Sequence, residues 1–361
     1  MAAGSDFERR RQTVGAGLVA RKLDALLVSY SANLRYLSGF TGSNGNLLVL
    51  PGRTILFTDP RYQIQALQEV TCEVRIAKGP LVMDVAAAIA KFKLRRIGYE
   101  PPRMTCDWFD SLSARLPMRA ALTPVTGWIE ELRTIKSASE IELIRRSVET
   151  NSRAFEQVVS RVRAGVKEQD LAAELEYRMR RLGAEKPAFE TIVAGGARSA
   201  LPHAQPTQAR LEAGGLVVVD MGAIRDGYCS DMTRMLVVGS PTAKVKRMYR
   251  AVLEAQQAAV DAVRAGVSTA HVDRQARRVL KGYGLEQAFI HSTGHGLGLE
   301  IHEPPRIGRR DKQRLQACMA ITIEPGVYLE GFGGIRIEDT VMVTASGCEI
   351  LTPTSKQIRV I

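Results

Sequence analysis

Two pairs of carboxylates and a cluster of histidines carry the chemical potential of this chain, all in its C-terminal half. Asp220 and Asp231 lie in VVVDMGAIRDGYCSDMT, Glu324 and Glu338 in ITIEPGVYLEGFGGIRIEDT, and His291, His295 and His302 in HSTGHGLGLEIHE. The carboxylates sit within apolar, strand-like sequence, where an unpaired charge is costly. Too few cations lie nearby in sequence to pair four of them. Bound divalent metal resolves the conflict, and two ions suit four carboxylates better than one.

The elements that would position these groups are hairpins. Asp220 closes the apolar run Leu216–Val219, and Asp231 opens the run Met232–Val238, with turn chemistry at Arg225-Asp226-Gly227 between them. A turn centred on the Arg225–Asp226 bond sets the two aspartates opposite each other, Cβ atoms about 5 Å apart. A turn centred on Asp226-Gly227 leaves them diagonal, still within reach of one ion. Glu324 and Glu338 repeat the arrangement about Gly331, with strands predicted over Ala320–Glu324 and Ile335–Val343. His291 and His295 have the spacing of a metal-binding helix, but Gly294, Gly296 and Gly298 argue for a strand and loop that approach a ligand closely.

In this order and spacing, the motifs VVVDMG, SDMTR, STGHGLGLEIHE, ITIEPGVY and GGIRIEDT resemble the pita-bread metallopeptidases, and among them the proline-specific branch of aminopeptidase P and prolidase. The resemblance covers the chain from about Thr134 onward. NLRYLSGFTGSNG and LFTDPRY extend it, less decisively, to the N-terminal part. It implies an α+β fold: a C-terminal pita-bread (creatinase/aminopeptidase) domain, residues 131–361, with an internal pseudo-two-fold duplication. A smaller α/β creatinase-like domain, residues 1–130, would precede it and serve substrate access and dimer contacts.

Carried over residue by residue, the resemblance assigns one ion to Asp220 and Asp231, and the second to Asp231, His295, Glu324 and Glu338, with Asp231 and Glu338 bridging. A water between the ions would attack the scissile carbonyl while Glu324 shuttles its proton. His203, His291 and His302 match positions that contact substrate or stabilise the tetrahedral intermediate, and Arg336 matches an arginine that orients a ligating carboxylate. One departure is Phe189 in AFETIVAGG, where the longer bacterial aminopeptidase P has a tyrosine. The implied cofactor is a pair of divalent ions, Mn or Co, with Fe or Zn as alternatives.

Composition agrees with a two-domain globular protein. The 361 residues suffice for two cores, and 24% charged residues is ordinary. No apolar run is long enough to span a membrane, and MAAGSDFERRRQ lacks the apolar core of a signal peptide. Five scattered cysteines without a C-x-x-C pair predict reduced thiols and a cytoplasmic protein. Cys229, two residues from Asp231, is expected to pack rather than ligate. The net charge of +12 invites a nucleic-acid role, but the arginine pairs are dispersed among acids and there is no RNA-binding signature. A solvated basic surface, with no specific nucleic-acid or membrane partner, is the expectation.

Along the chain, helices are predicted over Phe7–Lys22, Gln63–Val70 and Val82–Lys93, and strands over Asp24–Tyr30, Asn46–Leu50, Arg53–Thr58 and Arg96–Tyr99, with glycine-rich turns between the strands. Ser137 and Ser139, each followed three residues on by glutamate, mark the start of a long helix. The string VRAGV at Val162–Val166 recurs at Val263–Val267, a shift of 101, in matching helix-loop-helix context. A duplicated α+β unit places the site where the two sheets meet.

The leading expectation is a homodimeric Xaa-Pro aminopeptidase acting on proline-containing peptides. The alternatives are an Xaa-Pro dipeptidase, a creatinase-like hydrolase, and a non-enzymatic binding protein on the same scaffold. Retention of all five ligands weighs against the last two.

Overall fold

The computed structural model describes residues 3–361, which divide into two compact units, one ending at Arg133 and the other running from Thr134 to Ile361. In the first unit a six-stranded mixed sheet runs in the order Glu73–Ile76, Arg53–Thr58, Gly45–Leu50, Ala25–Val28, Arg96–Tyr99, Ala121–Pro124. Val82, Val85 and Ile89 of the helix Leu81–Lys91 pack on Leu27, Leu48, Ile55 and Phe57, an apolar stripe meeting alternate strand residues. One sequence expectation is corrected here. The strand ends at Val28, and the segment assigned to glycine-rich turns contains a helix, Ser31–Ser38. Leu34, Tyr36 and Leu37 are buried, so tertiary burial recruits a short segment whose local pattern is weak. Gly39, at φ 82°, ends the helix and donates its N–H to Arg35 O.

The second unit is built twice. Its first half has helices Ala138–Val159 and Glu168–Arg181, and its second has Ala243–Asp261 and Thr269–Gly282. Glu168–Arg181 maps onto Thr269–Gly282 at the same shift of 101 that relates the VRAGV strings. Gly165 and Gly266 share a φ of 86° and equivalent bonds: each N–H reaches a leucine carbonyl, Leu211 or Leu315, and each carbonyl accepts from an arginine, Arg210 or Arg314. Ser137 rather than Ser139 caps the long helix, in a reciprocal box with Glu140.

Each half contributes a sheet. One is ordered Arg359–Val360, Met232–Val237, Leu216–Met221, Ile192–Gly195; the other is Glu303–Ile307, Gly294–Gly296, Ala320–Ile323, Asp339–Val343, Cys348–Ile350. Val217 and Val219 face the helices of the first half, while Leu216 and Val218 face a core shared with the second half's helices and strands. Both faces are therefore buried, which accounts for the unbroken valine run. At the end of that run, Asp220 shares the side of Leu216 and Val218, toward the second sheet.

Candidate metal centre

The two hairpins meet face to face in the second unit, and their registers place the carboxylates. Met221 pairs with Met232 and Asp220 with Thr233, so Asp231 lies diagonal to Asp220. Of the two turn placements open from sequence, the structure selects Asp226-Gly227: both have positive φ, 52° and 82°, as a tight two-residue hairpin turn requires. In the other hairpin Ile323 pairs with Asp339 and Gly326 with Arg336. The same register continued across the gap sets Glu324 opposite Glu338. Glu338 N–H donates to Thr233 O, and Thr340 Oγ1 to Asp231 O, which ties the hairpins together.

His295 enters from the strand Gly294–Gly296, with Nε2 3.3 Å from Glu324 Oε1 and 3.6 Å from Asp231 Oδ2. One ligand atom each from Asp231, His295 and Glu338 lie within 4.8 Å of one another. The flanking glycines permit this approach: a Cβ on Gly294 would stand 1.9 Å from Thr322 O, and one on Gly296 2.2 Å from Pro304 O. His295 Nδ1 faces Gly296 O at 3.0 Å, so Nδ1 carries a proton and Nε2 is the ring atom turned to the carboxylates.

Around these groups lies a scaffold that the sequence reading largely missed. Arg336 donates to Asp220 Oδ2 at 2.5 Å, to Thr233 Oγ1 at 3.0 Å and to the Tyr328 hydroxyl at 2.7 Å. Thr233 in turn donates to Glu338 Oε2 at 2.7 Å, and Thr322 donates to Glu324 Oε1 at 3.1 Å. Arg234 bonds Glu338 O and the buried carboxylate of Asp339. Thr233, Arg234 and Tyr328 lie within the motifs SDMTR and ITIEPGVY, but nothing in their spacing shows which carboxylate each supports.

The other predicted site residues line one cavity of about 740 Å³, together with Phe189. His302 is exposed to it, its ring 4.4 Å from that of His295 and edge-on. His203 is likewise exposed at the wall. His291 is not part of the Asp231–His295–Glu338 cluster: Nδ1 faces Ser292 O at 2.8 Å, and Nε2 accepts from Tyr328 at 2.9 Å. Burial holds His291 and His302 below the usual imidazole value, which favours neutral rings. Cys229 packs in an apolar cluster with Ile144, Val148 and Leu297.

The protein's own charges leave this centre uncompensated. Burial, with the charges of Glu338 and Asp220, pushes Asp231 well above the carboxylate range; burial, with Glu324 and Asp220, does the same to Glu338. Burial also raises Asp220, against the pull of Arg336. Glu324 is the exception. Burial opposes its charge, but the hydrogen bond and charge of His295 prevail and lower it. Asp220 Oδ1 and Glu338 Oε1 are buried with no hydrogen-bond partner. Four crowded carboxylates, one imidazole with Nε2 turned to them and two orphaned oxygens fit hard divalent cations.

Residues 142–345 match the family model described as Metallopeptidase family M24, and residues 10–135 match the Creatinase/Prolidase N-terminal domain. The chain belongs to metallopeptidase family M24. It is accordingly a metallo-exopeptidase with a dinuclear metal requirement, on the pita-bread fold and in the proline-specific branch. It is 37% identical over 336 residues to an Xaa-Pro dipeptidase of Pyrococcus horikoshii, covering 93% of this chain and 94% of that protein. An Xaa-Pro dipeptidase structure from Bacillus anthracis superposes with a TM-score of 0.96 at 35% identity, covering 98% of this chain and all of that one. An X-Pro aminopeptidase structure from Thermotoga maritima gives 0.90 at 39% identity, covering 94% and 98%.

Proposed function

We propose that this family member is an Xaa-Pro dipeptidase that hydrolyses the bond between an N-terminal residue and proline. The observation that carries the reading is the pair of facing hairpins, which crowd Asp220, Asp231, Glu324 and Glu338 around His295 at the wall of a cavity. The dipeptidase names of close relatives support this choice over the aminopeptidase expected from sequence. Asp220 and Asp231 would hold one ion, and Asp231, His295, Glu324 and Glu338 the other, Mn or Co by the donor set. When bound, the two ions polarise the scissile carbonyl and lower the pKa of the attacking water.

The protein's own side chains supply the rest. Glu324 Oε1 is engaged by His295 and Thr322, which leaves Oε2 to take a proton from the water and return it to the leaving proline nitrogen. His302, open to the cavity, donates to the oxyanion that develops on the carbonyl. His291, in its Nδ1–H form, holds Tyr328 and through it Arg336, while His203 contacts the substrate's first residue. An X-Pro bond has no N–H, so the apolar walls Phe189, Ile192 and Ile301 serve the ring where other peptidases bind an amide.

The test compares Xaa-Pro dipeptides with Xaa-Pro-Yaa peptides on protein of measured metal content. Hydrolysis of dipeptides alone, abolished by chelation and restored by Mn or Co, is expected. Turnover of both classes would favour the second reading, an aminopeptidase. That reading draws on the Thermotoga relative and on a cleft of about 500 Å³ that adjoins the metal cavity at His291, Ser292 and Arg306. Full hydrolysis by rigorously metal-free protein would overturn both. The same preparation is expected to sediment as a homodimer.

A further inference from the structure

The segment Phe289–Thr293 carries His291 and belongs to no helix or strand. A lone loop of this kind must find its hydrogen bonds elsewhere or lose its geometry. It finds them on one face of the helix Thr269–Gly282. Arg277 donates Nη1 to Phe289 O at 2.8 Å and Nη2 to His291 O at 2.5 Å, while its guanidinium stacks 4.1 Å over the Phe289 ring. That ring meets His291 edge-on at 5.0 Å. Asp273, one turn earlier, fixes the guanidinium through Nε at 2.8 Å and accepts from Thr293 Oγ1 at 2.9 Å. Thr293 O in turn accepts from Glu324 N–H at 2.7 Å.

We infer that Asp273 and Arg277 are positioning residues for the peptidase reaction, acting through His291. The contacts form a continuous chain: Arg277 to the His291 backbone, His291 Nε2 to the Tyr328 hydroxyl, Tyr328 to Arg336, and Arg336 to Asp220. The duplication supplies an internal control. At the shift of 101, the first half has Ala172 and Glu176 where the second has Asp273 and Arg277, and Glu190 where the second has His291. The pair is present in the half whose loop carries the histidine and absent from the other. Burial completes the argument. Asp273 is fully buried and Arg277 nearly so, and a planar fork holding two carbonyls and a carboxylate is a task lysine cannot reproduce.

This inference rests on the peptidase reading, so its test has one arm that needs no turnover. In the folded protein the His291 Nδ1 proton, bonded to Ser292 O, is expected to give a slowly exchanging imidazole signal in a histidine NMR spectrum. Arg277→Lys should abolish that slow exchange. With Xaa-Pro dipeptides, Arg277→Lys should lower kcat about 10- to 100-fold, in the range for residues that orient a metal site's partners. KM and metal content should stay near wild type. In a His291→Ala background the same substitution should cost nothing further, because both act through one group. Equal protection of the imidazole proton in both proteins, wild-type kcat, or losses that multiply in the double variant would each overturn the inference. Should Arg277→Lys fail to fold, the paired change Asp273→Asn with Arg277→Gln removes both charges together; its failure to fold would make the pair a fold determinant and overturn the positioning role. A wild-type protein inactive on Xaa-Pro substrates would refute the function and leave the spectroscopic arm to decide the geometry.

Discussion

Asp220 Oδ1 and Glu338 Oε1 lie buried without partners, and Asp231 is forced toward its neutral form, because the protein alone does not balance its own centre. Asp231→Asn or Glu338→Gln should therefore lower metal content and cut turnover by several orders of magnitude while the fold survives, since easing carboxylate repulsion offsets part of the lost binding. Metal analysis and circular dichroism on the same samples check this. A variant with two ions and near-normal rate would refute the bridging roles. Arg336→Lys loses the fork that joins Asp220, Thr233 and Tyr328, and about a 10- to 100-fold loss of metal affinity or activity should follow. His291 gives a pH signature. Burial depresses its pKa in the folded protein, whereas the unfolded chain takes up the proton near the ordinary value of about 6.5. Its contribution to stability is thus complete above that pH and lost as pH falls toward the folded value. The melting temperature of metal-free wild type should drop more steeply on acidification than that of His291→Gln, and parallel curves would count against the assignment.

Elements set the distances between these residues, and two glycines show how tightly. On the strand Gly294–Gly296 a side chain at residue 294 would collide with the Thr322 carbonyl of the neighbouring strand, where neither backbone can give way. Gly294→Ala should cost at least the 1–3 kcal/mol typical of overpacking, about as an order of magnitude, and displace His295. Gly282, at the end of the helix Thr269–Gly282, has open space where its Cβ would stand. Gly282→Ala should be neutral or stabilise by up to about 1 kcal/mol through helix propensity. Thermal melts of the two variants give the contrast directly. Equal effects would mean that strand proximity is not what the glycine serves.

At the scale of the molecule, the unit ending at Arg133 and the unit Thr134–Ile361 have separate apolar cores, and the whole carboxylate centre lies in the second. Ligand binding stabilises what it binds, by about 2.7 kcal/mol when free metal is a hundredfold above its dissociation constant. Chelation should therefore lower the calorimetric transition of the second unit and leave that of the first in place. A common shift of both would show that they unfold as one. Exposed Ile64 and Leu67, one turn apart on a short helix of the first unit, are compatible with its proposed part in dimer contacts, which sedimentation tests.

The chemistry was legible in the sequence because it breaks a local rule. Asp220, Asp231, Glu324 and Glu338 interrupt strand patterns where charge is penalised, and turn residues at fixed offsets bring each pair together. The duplication was legible too, since a repeated VRAGV string imposes a repeated backbone. Short-range pattern could not recover what depends on burial by distant residues. The helix Ser31–Ser38 forms because its leucines find a core. The diagonal register of Asp220 and Asp231 was one of two that the turn residues allowed, and the folded hairpin chose it. Most of all, the supporting side chains come from elements far apart in the chain: Thr233 reaches Glu338 across 105 positions and Arg336 reaches Asp220 across 116. Spacing in sequence carries no information about such partners, because only packing of the two sheets decides which hydroxyl or guanidinium meets which carboxylate.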